Sequence, residues 1–186
     1  MTAKLTFVFA SMNSGKTLAL LTKAFMLREK GYFVVLMKPE LDDRTTTISS
    51  RIGLEESCTV IPNGEFVLGN LGYGVDIKPD YILIDEAQFL SKDQVWDISD
   101  IVDYFDVNVI CYGLKLNWQA EMFEGSKALF ELSDELIQLD TYCRNSKLPA
   151  LFHNKISGSN SEIEPGYDDM YESVSRRCWK EKRVKG

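Results

Sequence analysis

The stretch that decides the fold is Ala10-Ser11-Met12-Asn13-Ser14-Gly15-Lys16-Thr17. It follows a short apolar run, and it precedes a segment whose apolar side chains recur at helical spacing. The stretch matches the phosphate-binding pattern G-x-x-x-x-G-K-[ST], with Ala10 in place of the first glycine. In such a loop, backbone N–H groups at the start of a helix face phosphates, the lysine reaches the β and γ oxygens, and the hydroxyl residue binds Mg²⁺. The sequence therefore predicts a nucleoside-triphosphate site between a strand and a helix.

Short apolar runs alternate with helical patterns along residues 1–140, which predicts an α/β fold with a parallel sheet flanked by helices. The apolar runs are residues 5–9, 33–37, 81–84, 107–112 and 136–139, and the helical patterns are residues 16–30, 92–105 and 125–133. Ser91 and Gln94 have the spacing of a capping box at the start of the second helix. Residues 39–80 indicate loops around one or two short strands near 58–61. Residues 141–186 form an irregular appendage and a basic tail, and we expect the domain boundary near 140.

Two adjacent acids, Asp85 and Glu86, follow the third apolar run. An acid at the carboxyl end of a buried strand is where phosphate-loop enzymes hold Mg²⁺, partly through water, and we expect Asp85 to do so. Glu86 is then a candidate general base, since a carboxylate beside the metal site can accept a proton from an attacking hydroxyl. The alternative is that Glu86 only caps the following loop.

Composition excludes several other classes of protein. The chain has 186 residues and a net charge of −7, and the six bases of its last eleven residues leave residues 1–175 more acidic still. An acidic body repels a phosphate backbone, so general nucleic-acid binding is not expected. No apolar run is long enough to cross a membrane and no export signal is evident, so we expect a cytoplasmic protein with reduced cysteines. Cys111 is expected in the core, and His153 at the surface or in a loop.

The ordered set of motifs resembles the thymidine kinases that have a RecA-like P-loop domain and a zinc-bearing lasso, and the loop variant is similar to that of bacteriophage members. The resemblance spans about residues 4–180 and rests on the loop, on residues 38–44, on Asp85-Glu86-Ala87-Gln88-Phe89, on residues 112–114 and on residues 171–174. It implies a RecA-like P-loop sheet with a small C-terminal lasso, and ATP-dependent transfer of a phosphoryl group to the 5′-hydroxyl of thymidine or deoxyuridine. It also implies a homotetramer in the cytoplasm, that of the host if the protein is viral. The alternatives are a RecA- or helicase-type ATPase and a non-catalytic regulatory module that binds nucleotide.

The resemblance also implies roles for individual residues. Glu86 is expected to take the hydroxyl proton, with Lys16 and Arg44 as further catalytic residues. A loop salt bridge is the alternative for Asp42 and Arg44. Mg²⁺ is expected on Thr17 and Asp85. ATP is expected to contact Ser11, Met12, Asn13, Ser14, Gly15, Lys16, Thr17, Asp42, Asp85 and Gln88. The nucleoside is expected to contact Met12, Phe89, Leu114, Trp118, Phe123, Glu164, Gly166 and Tyr171, with simple core packing as the alternative for Phe123.

The chain departs from the family at the metal. Two cysteine pairs hold zinc in the family, but the corresponding segments here are Cys143-Arg144-Asn145-Ser146 and Ser175-Arg176-Arg177-Cys178. Structural zinc normally has four nitrogen or sulfur ligands, so two remaining thiols predict no structural zinc. A disulfide between them is disfavoured in a reducing compartment. The appendage is then expected to be held by packing of Tyr142, Leu151, Phe152 and Trp179.

Overall fold

The structure is a computed structural model that describes residues 2–40, 45–64, 78–156 and 171–184. Its strands are β1 (Leu5–Ala10), β2 (Val34–Pro39), β3 (Thr47–Ser49), β4 (Glu55–Ser57), β5 (Thr59–Ile61), β6 (Tyr81–Ile84), β7 (Asn108–Leu114), β8 (Glu135–Gln138), β9 (Phe152–Lys155) and β10 (Tyr171–Val174). Its helices are α1 (Lys16–Glu29), α2 (Lys92–Phe105), α3 (Glu124–Leu132) and α4 (Arg176–Val184), with a 3₁₀ turn at Ala87–Phe89.

Six strands form one sheet in the order β5-β2-β6-β7-β1-β8, and every neighbouring pair is parallel. Because the strands are parallel, the carboxyl ends of β1, β6 and β7 lie at the same edge of the sheet. Helices cover both faces, and side chains of β1 alternate between them. Phe7 packs in the cluster that includes α2 and α3, whereas Val8 packs in the cluster that includes α1. The predicted α/β fold is confirmed.

The five predicted apolar runs all form strands of this sheet, and the three predicted helices begin and end within a residue or two of their expected bounds. The Ser91 hydroxyl accepts from the Gln94 N–H at 3.1 Å, and the Gln94 side chain accepts from the Ser91 N–H at 3.0 Å. The predicted capping box is therefore present at the start of α2. Cys111 is fully buried in β7, as expected.

The C-terminal unit has its own antiparallel pair, β9 and β10, followed by α4. Its small core contains Cys143, Ala150 and Val174, and the Phe152 and Trp179 rings pack against it with their centroids 5.4 Å apart. The prediction for Tyr142 is wrong because its side chain is 63% exposed.

His153 also differs from expectation. It lies on β9 and is 3% exposed, so the prediction of a surface or loop position is wrong. The His153 ring packs against the Tyr171 ring of β10, with centroids 5.7 Å apart, a contact that the short polar sequence of β9 does not reveal. None of the helices in the described part of the chain is long and apolar enough to cross a membrane.

Candidate active site

The loop after β1 has the backbone shape of a phosphate cradle. Asn13 and Gly15 have left-handed backbone angles, with φ of 58° and 80°, and Gly15 is the N-cap of α1. Alternation of this kind turns successive N–H groups toward a common point, where an anion binds. A Cβ on Gly15 would meet no atom within 4 Å, so the glycine is required by its backbone angle rather than by space.

Ala10 fits the first position of the loop without strain. It is the last residue of β1, it is buried, and it pairs with Leu114 of β7. Its backbone is not among those with positive φ. Since the left-handed angles fall at Asn13 and Gly15 instead, a methyl group is tolerated where the motif has its first glycine.

Three side chains of the loop point to a phosphate ligand. The Lys16 ammonium is 8% exposed and donates to the Ser11 carbonyl oxygen at 3.0 Å. The hydroxyl oxygens of Ser11 and Ser14 are buried and have no hydrogen-bond partner in the described part of the chain. Because buried polar atoms are normally paired, these orphaned hydroxyls fit a ligand that brings its own acceptor atoms.

Thr17 and Asp85 meet at the sheet edge, where the Thr17 hydroxyl donates to Asp85 Oδ2 at 2.9 Å. Burial and the nearby Glu86 carboxylate raise the pKa of Asp85 to about 7, although Thr17, the Glu86 N–H and Lys16 oppose the shift. Burial makes the negative charge of Asp85 costly. A cation bound beside Asp85 and Thr17 would stabilise that charge and lower the pKa of the carboxyl. The two oxygens fit Mg²⁺, which binds to few protein ligands and keeps water or phosphate oxygens.

Glu86 is held in an unusual position for a glutamate. Its backbone is left-handed, with φ of 51°, and its N–H donates to Asp85 Oδ1 at 3.0 Å. It precedes the 3₁₀ turn, but its side chain makes no cap hydrogen bond, so the alternative of a simple capping role does not hold. Its carboxylate instead accepts a hydrogen bond from the side-chain amide of Gln88.

Gln88 connects the two acids to the neighbouring strand. Its side chain is 2% exposed, and its Oε1 accepts from the Leu114 N–H at 3.0 Å. A Cβ on Gly113 would lie 3.0 Å from this Oε1, and a Cβ on Gly125 would lie 2.5 Å from the Leu90 carbonyl oxygen. The two glycines therefore allow β7 and α3 to approach the 3₁₀ turn closely. Both ends of the Gln88 amide are used inside the protein.

The residues expected around a nucleoside fall into three groups. Phe89 and Phe123 contact each other edge to face with ring centroids 5.7 Å apart, and Leu114 is buried next to Gln88. Trp118 follows Leu114 in the chain after the end of β7, and its backbone oxygen accepts a hydrogen bond from the Trp179 indole at 3.1 Å. Met12 and Tyr171 meet through their segments, as described below. Four expected site residues, Asp42, Arg44, Glu164 and Gly166, lie outside the described residues.

Strand β10 lies against the phosphate loop. Asn13 Nδ2 donates to the Tyr171 carbonyl oxygen at 3.3 Å, and the Ser173 hydroxyl donates to the Met12 carbonyl oxygen. His153 is paired with Ser173 across the β9–β10 register, and burial together with the Lys16 charge lowers its pKa to about 4. Neither Ser173 nor His153 was predicted at the site. The only available signal was the alternation along two short strands, which does not identify what they pack against.

A cleft with a volume of about 210 Å³ opens beside the loop and Glu86. Its opposite wall comes from the turn between β3 and β4 and contains Ser49, Ser50, Arg51 and Ile52. The sequence analysis placed loops here but assigned them no role, because a three-residue strand pair carries little periodicity.

The strand, left-handed loop, helix and paired Thr17 and Asp85 define a P-loop nucleotide-binding enzyme. Comparison with known proteins makes this specific, since the family model for thymidine kinase matches residues 3–179. Thymidine kinases of Photobacterium profundum and Vibrio cholerae are each 35% identical over 187 residues, which cover 96% of this chain and 97% of theirs. The chain belongs to the thymidine kinase family.

One solved structure gives a weaker match. The crystal structure of Pif1 helicase from Candida albicans matches with a TM-score of 0.43 and 15% identity, over 74% of this chain and 36% of that one. The family and the kinase class predicted from the sequence are thus confirmed by the family model and the bacterial relatives. The ATPase and the regulatory module are not favoured.

Proposed function

We propose that this chain transfers the γ-phosphoryl group of ATP to the 5′-hydroxyl of thymidine or deoxyuridine. The observation that carries the proposal is the placement of Glu86 directly after Asp85, with its carboxylate held by Gln88 at the edge of the sheet where the phosphate loop ends. An acid outside the Thr17–Asp85 pair supports transfer to an acceptor hydroxyl, because a cradle and a metal site alone would only bind nucleotide.

The proposed reaction assigns separate residues to phosphate binding, to Mg²⁺ binding and to proton transfer. Loop N–H groups and the Ser11 and Ser14 hydroxyls bind phosphate oxygens, and Lys16 exchanges its bond to the Ser11 carbonyl for one to the phosphates. Thr17 and Asp85 would hold Mg²⁺, which when bound neutralises the charge that develops on the phosphoryl oxygens. The Glu86 carboxylate accepts the proton of the 5′-hydroxyl, and Gln88 orients that carboxylate.

For the nucleoside, Phe89, Phe123 and Leu114 supply flat and apolar surface on the P-loop side, as suits a base ring. Tyr171 closes the pocket from β10, and its ring is 5.7 Å from that of His153. Met12 and Trp118 complete the proposed wall. Glu164 and Gly166 keep their expected roles at the base, and Asp42 and Arg44 theirs at the phosphates.

The remaining parts of the proposal concern the whole molecule. Residues 1–140 act as the nucleotide-binding domain and residues 141–186 as the lasso and basic tail. A separate core of Cys143, Ala150 and Val174 supports this division. We further propose a cytoplasmic homotetramer that binds no nucleic acid and holds no structural zinc.

A steady-state assay of ADP release tests the reaction. We expect release to depend on thymidine or deoxyuridine, and to be unaffected by single-stranded DNA. Glu86→Gln keeps the shape of the side chain and its contact with Gln88, and we expect it to lower kcat by about 10²- to 10⁴-fold with little change in the KM for ATP. Glu131→Gln, an exposed change on α3, is the matched control.

Two outcomes contradict the proposal. An unchanged kcat in Glu86→Gln removes the base from the mechanism. ADP release that needs no nucleoside and rises with DNA favours the ATPase.

A further inference from the structure

Four side chains from two distant segments of the C-terminal unit meet in one cluster. Cys143 Sγ lies 3.8 Å from Cys178 Sγ, and Ser146 Oγ lies 2.9 Å from Ser175 Oγ. The first member of each pair comes from the turn before β9, and the second from the start of α4. The cluster is named here the Cys/Ser cluster.

Backbone hydrogen bonds fix both segments. In the turn, the Lys147 N–H donates to the Cys143 carbonyl oxygen and the Cys143 N–H donates to the Leu148 carbonyl oxygen, each at 2.9 Å. At the start of α4, the Ser175 hydroxyl accepts from the Cys178 N–H at 3.3 Å. The two thiols are thus held near each other by the hydrogen bonds of both segments.

The Cys/Ser cluster occupies the positions at which the family resemblance implies zinc, but its donors do not fit that ion. Structural zinc is held by four thiolate or imidazole ligands, and here two of the four are neutral serine hydroxyls that hydrogen bond to each other. Among the described residues, no group of three or more His, Cys, Asp or Glu side chains is arranged to hold a metal. Two serine hydroxyls stand where half of the implied zinc ligands would be. The two thiols are therefore available for chemistry other than metal binding.

We propose that Cys143 and Cys178 are a redox-responsive clip that closes to a disulfide when a low-molecular-weight disulfide is the oxidant. The Cys178 thiolate attacks the small disulfide, which forms a mixed disulfide and releases one thiolate. The Cys143 thiolate then attacks Cys178 Sγ and releases the second. In total the two thiols lose two protons and two electrons, and the small disulfide is reduced to two thiols.

The surroundings of the two thiols suit this order. Cys178 is half-buried on the first turn of α4, whereas Cys143 is fully buried, so a reagent from solution reaches Cys178 first. Burial opposes ionisation of Cys143, but hydrogen bonds from Ser146 and from backbone N–H groups of Ser146, Ser175 and Asn145 outweigh it and lower its thiol pKa to about 6. These hydrogen bonds favour the thiolate form of the second attacking group. The sulfurs must approach by roughly 1.7 Å to reach a disulfide bond length.

Closure would tie together the part of the chain that rests on the phosphate loop. The two cysteines are 35 positions apart, and the enclosed segment contains β9 and β10. Val174, at the end of β10, packs in the same small core as Cys143. A covalent link restricts the open states of this segment, so it slows local unfolding of β9 and β10.

The experiment uses the full chain with Cys58→Ser, which removes the other half-buried thiol. Cys111 stays, because its complete burial raises its thiol pKa and keeps it unreactive. The protein is equilibrated with oxidised and reduced glutathione at graded ratios, quenched with acid and analysed by intact mass and peptide mapping. The matched control adds Cys143→Ser, and thermal melting checks that it folds.

We expect the oxidised protein to lose two hydrogen atoms and to yield a peptide that links residues 143 and 178. Amide exchange in β9 and β10 is expected to slow by at least about tenfold on closure. The control is expected to carry one glutathione on Cys178 instead. A stable glutathione adduct on Cys178 of the parent protein, without a cross-link, overturns the proposal, as does unchanged amide exchange in the linked form. One zinc per chain that survives dialysis against a chelator also overturns it.

Discussion

Replacing Gln88 tests the contributions of its two hydrogen bonds, to the Leu114 N–H and to the Glu86 carboxylate. Gln88→Met keeps the length of the side chain but removes the acceptor for the Leu114 N–H and the donor to Glu86. A buried N–H left without its partner costs about 1–3 kcal/mol. For a domain of this size that lowers Tm by about 2–10 °C. The loss of the donor frees the Glu86 carboxylate, and we expect kcat to fall by about tenfold, which corresponds to about 1.4 kcal/mol in the barrier.

Gln88→Glu keeps the acceptor for the Leu114 N–H but changes the group that faces Glu86. An ionised glutamate no longer donates to Glu86 and places a like charge beside it. Because a buried and unpaired charge is itself destabilising, we expect its Tm to fall at least as far as the Tm of Gln88→Met, and its kcat to fall further. Thermal unfolding by circular dichroism and coupled ADP release at saturating substrates measure the two effects. Gln138→Met, an exposed change on β8, is the control.

Two results would contradict the contributions expected of Gln88. If Gln88→Met melts at the parent temperature, the buried hydrogen bond to Leu114 does not contribute as described. If both variants keep kcat within about twofold while KM for ATP is unchanged, Gln88 does not position Glu86.

Three further predictions concern stability. Gly125→Ala places a Cβ 2.5 Å from the Leu90 carbonyl oxygen. Alanine favours a helix by about 1 kcal/mol, but we expect the overpacking to outweigh this and to lower the free energy of unfolding in urea by about 1–3 kcal/mol. An unchanged or raised urea midpoint would contradict the close packing of α3. Ser91→Ala removes the capping box of α2 and costs about 1 kcal/mol by the same measurement, with Ser99→Ala on the same helix as control. Since burial and Lys16 lower the pKa of His153 from 6.5 to about 4, the unfolded chain binds the extra proton first, so the free energy of unfolding falls as pH drops from about 6.5 to about 4. His153→Phe is expected to flatten this part of the pH profile, and an equally steep profile rules out the histidine as its cause.

The sheet and the phosphate loop could be predicted because their signals are local. A strand, a loop and a helix follow one another within residues 5–29, and Ser91 caps a helix only three residues from Gln94. Ala10, which replaces the first glycine of the motif, is an ordinary strand residue, because the left-handed angles fall elsewhere in the loop.

The partners of the site could not be predicted in this way. Gln88 meets a backbone N–H that is 26 positions away, and Asn13 meets β10 across 158 positions. The first contact depends on how the 3₁₀ turn packs against β7, and the second on how β10 lies against the phosphate loop. Composition and periodicity encode neither. The burial of His153 was missed for the same reason. The polar strand that carries it looks like any exposed strand until its packing is known.

Two hydrogen bonds join β10 directly to the phosphate loop. Met12 and Asn13 hold β10 through their carbonyl and amide groups, and Tyr171 lies on that same strand. With the roles proposed above for the loop and for Tyr171, we expect an adjustment of the cradle on donor binding to be transmitted to the acceptor side. Affinity for one substrate then depends on the presence of the other, and by thermodynamic linkage this dependence is equal in both directions.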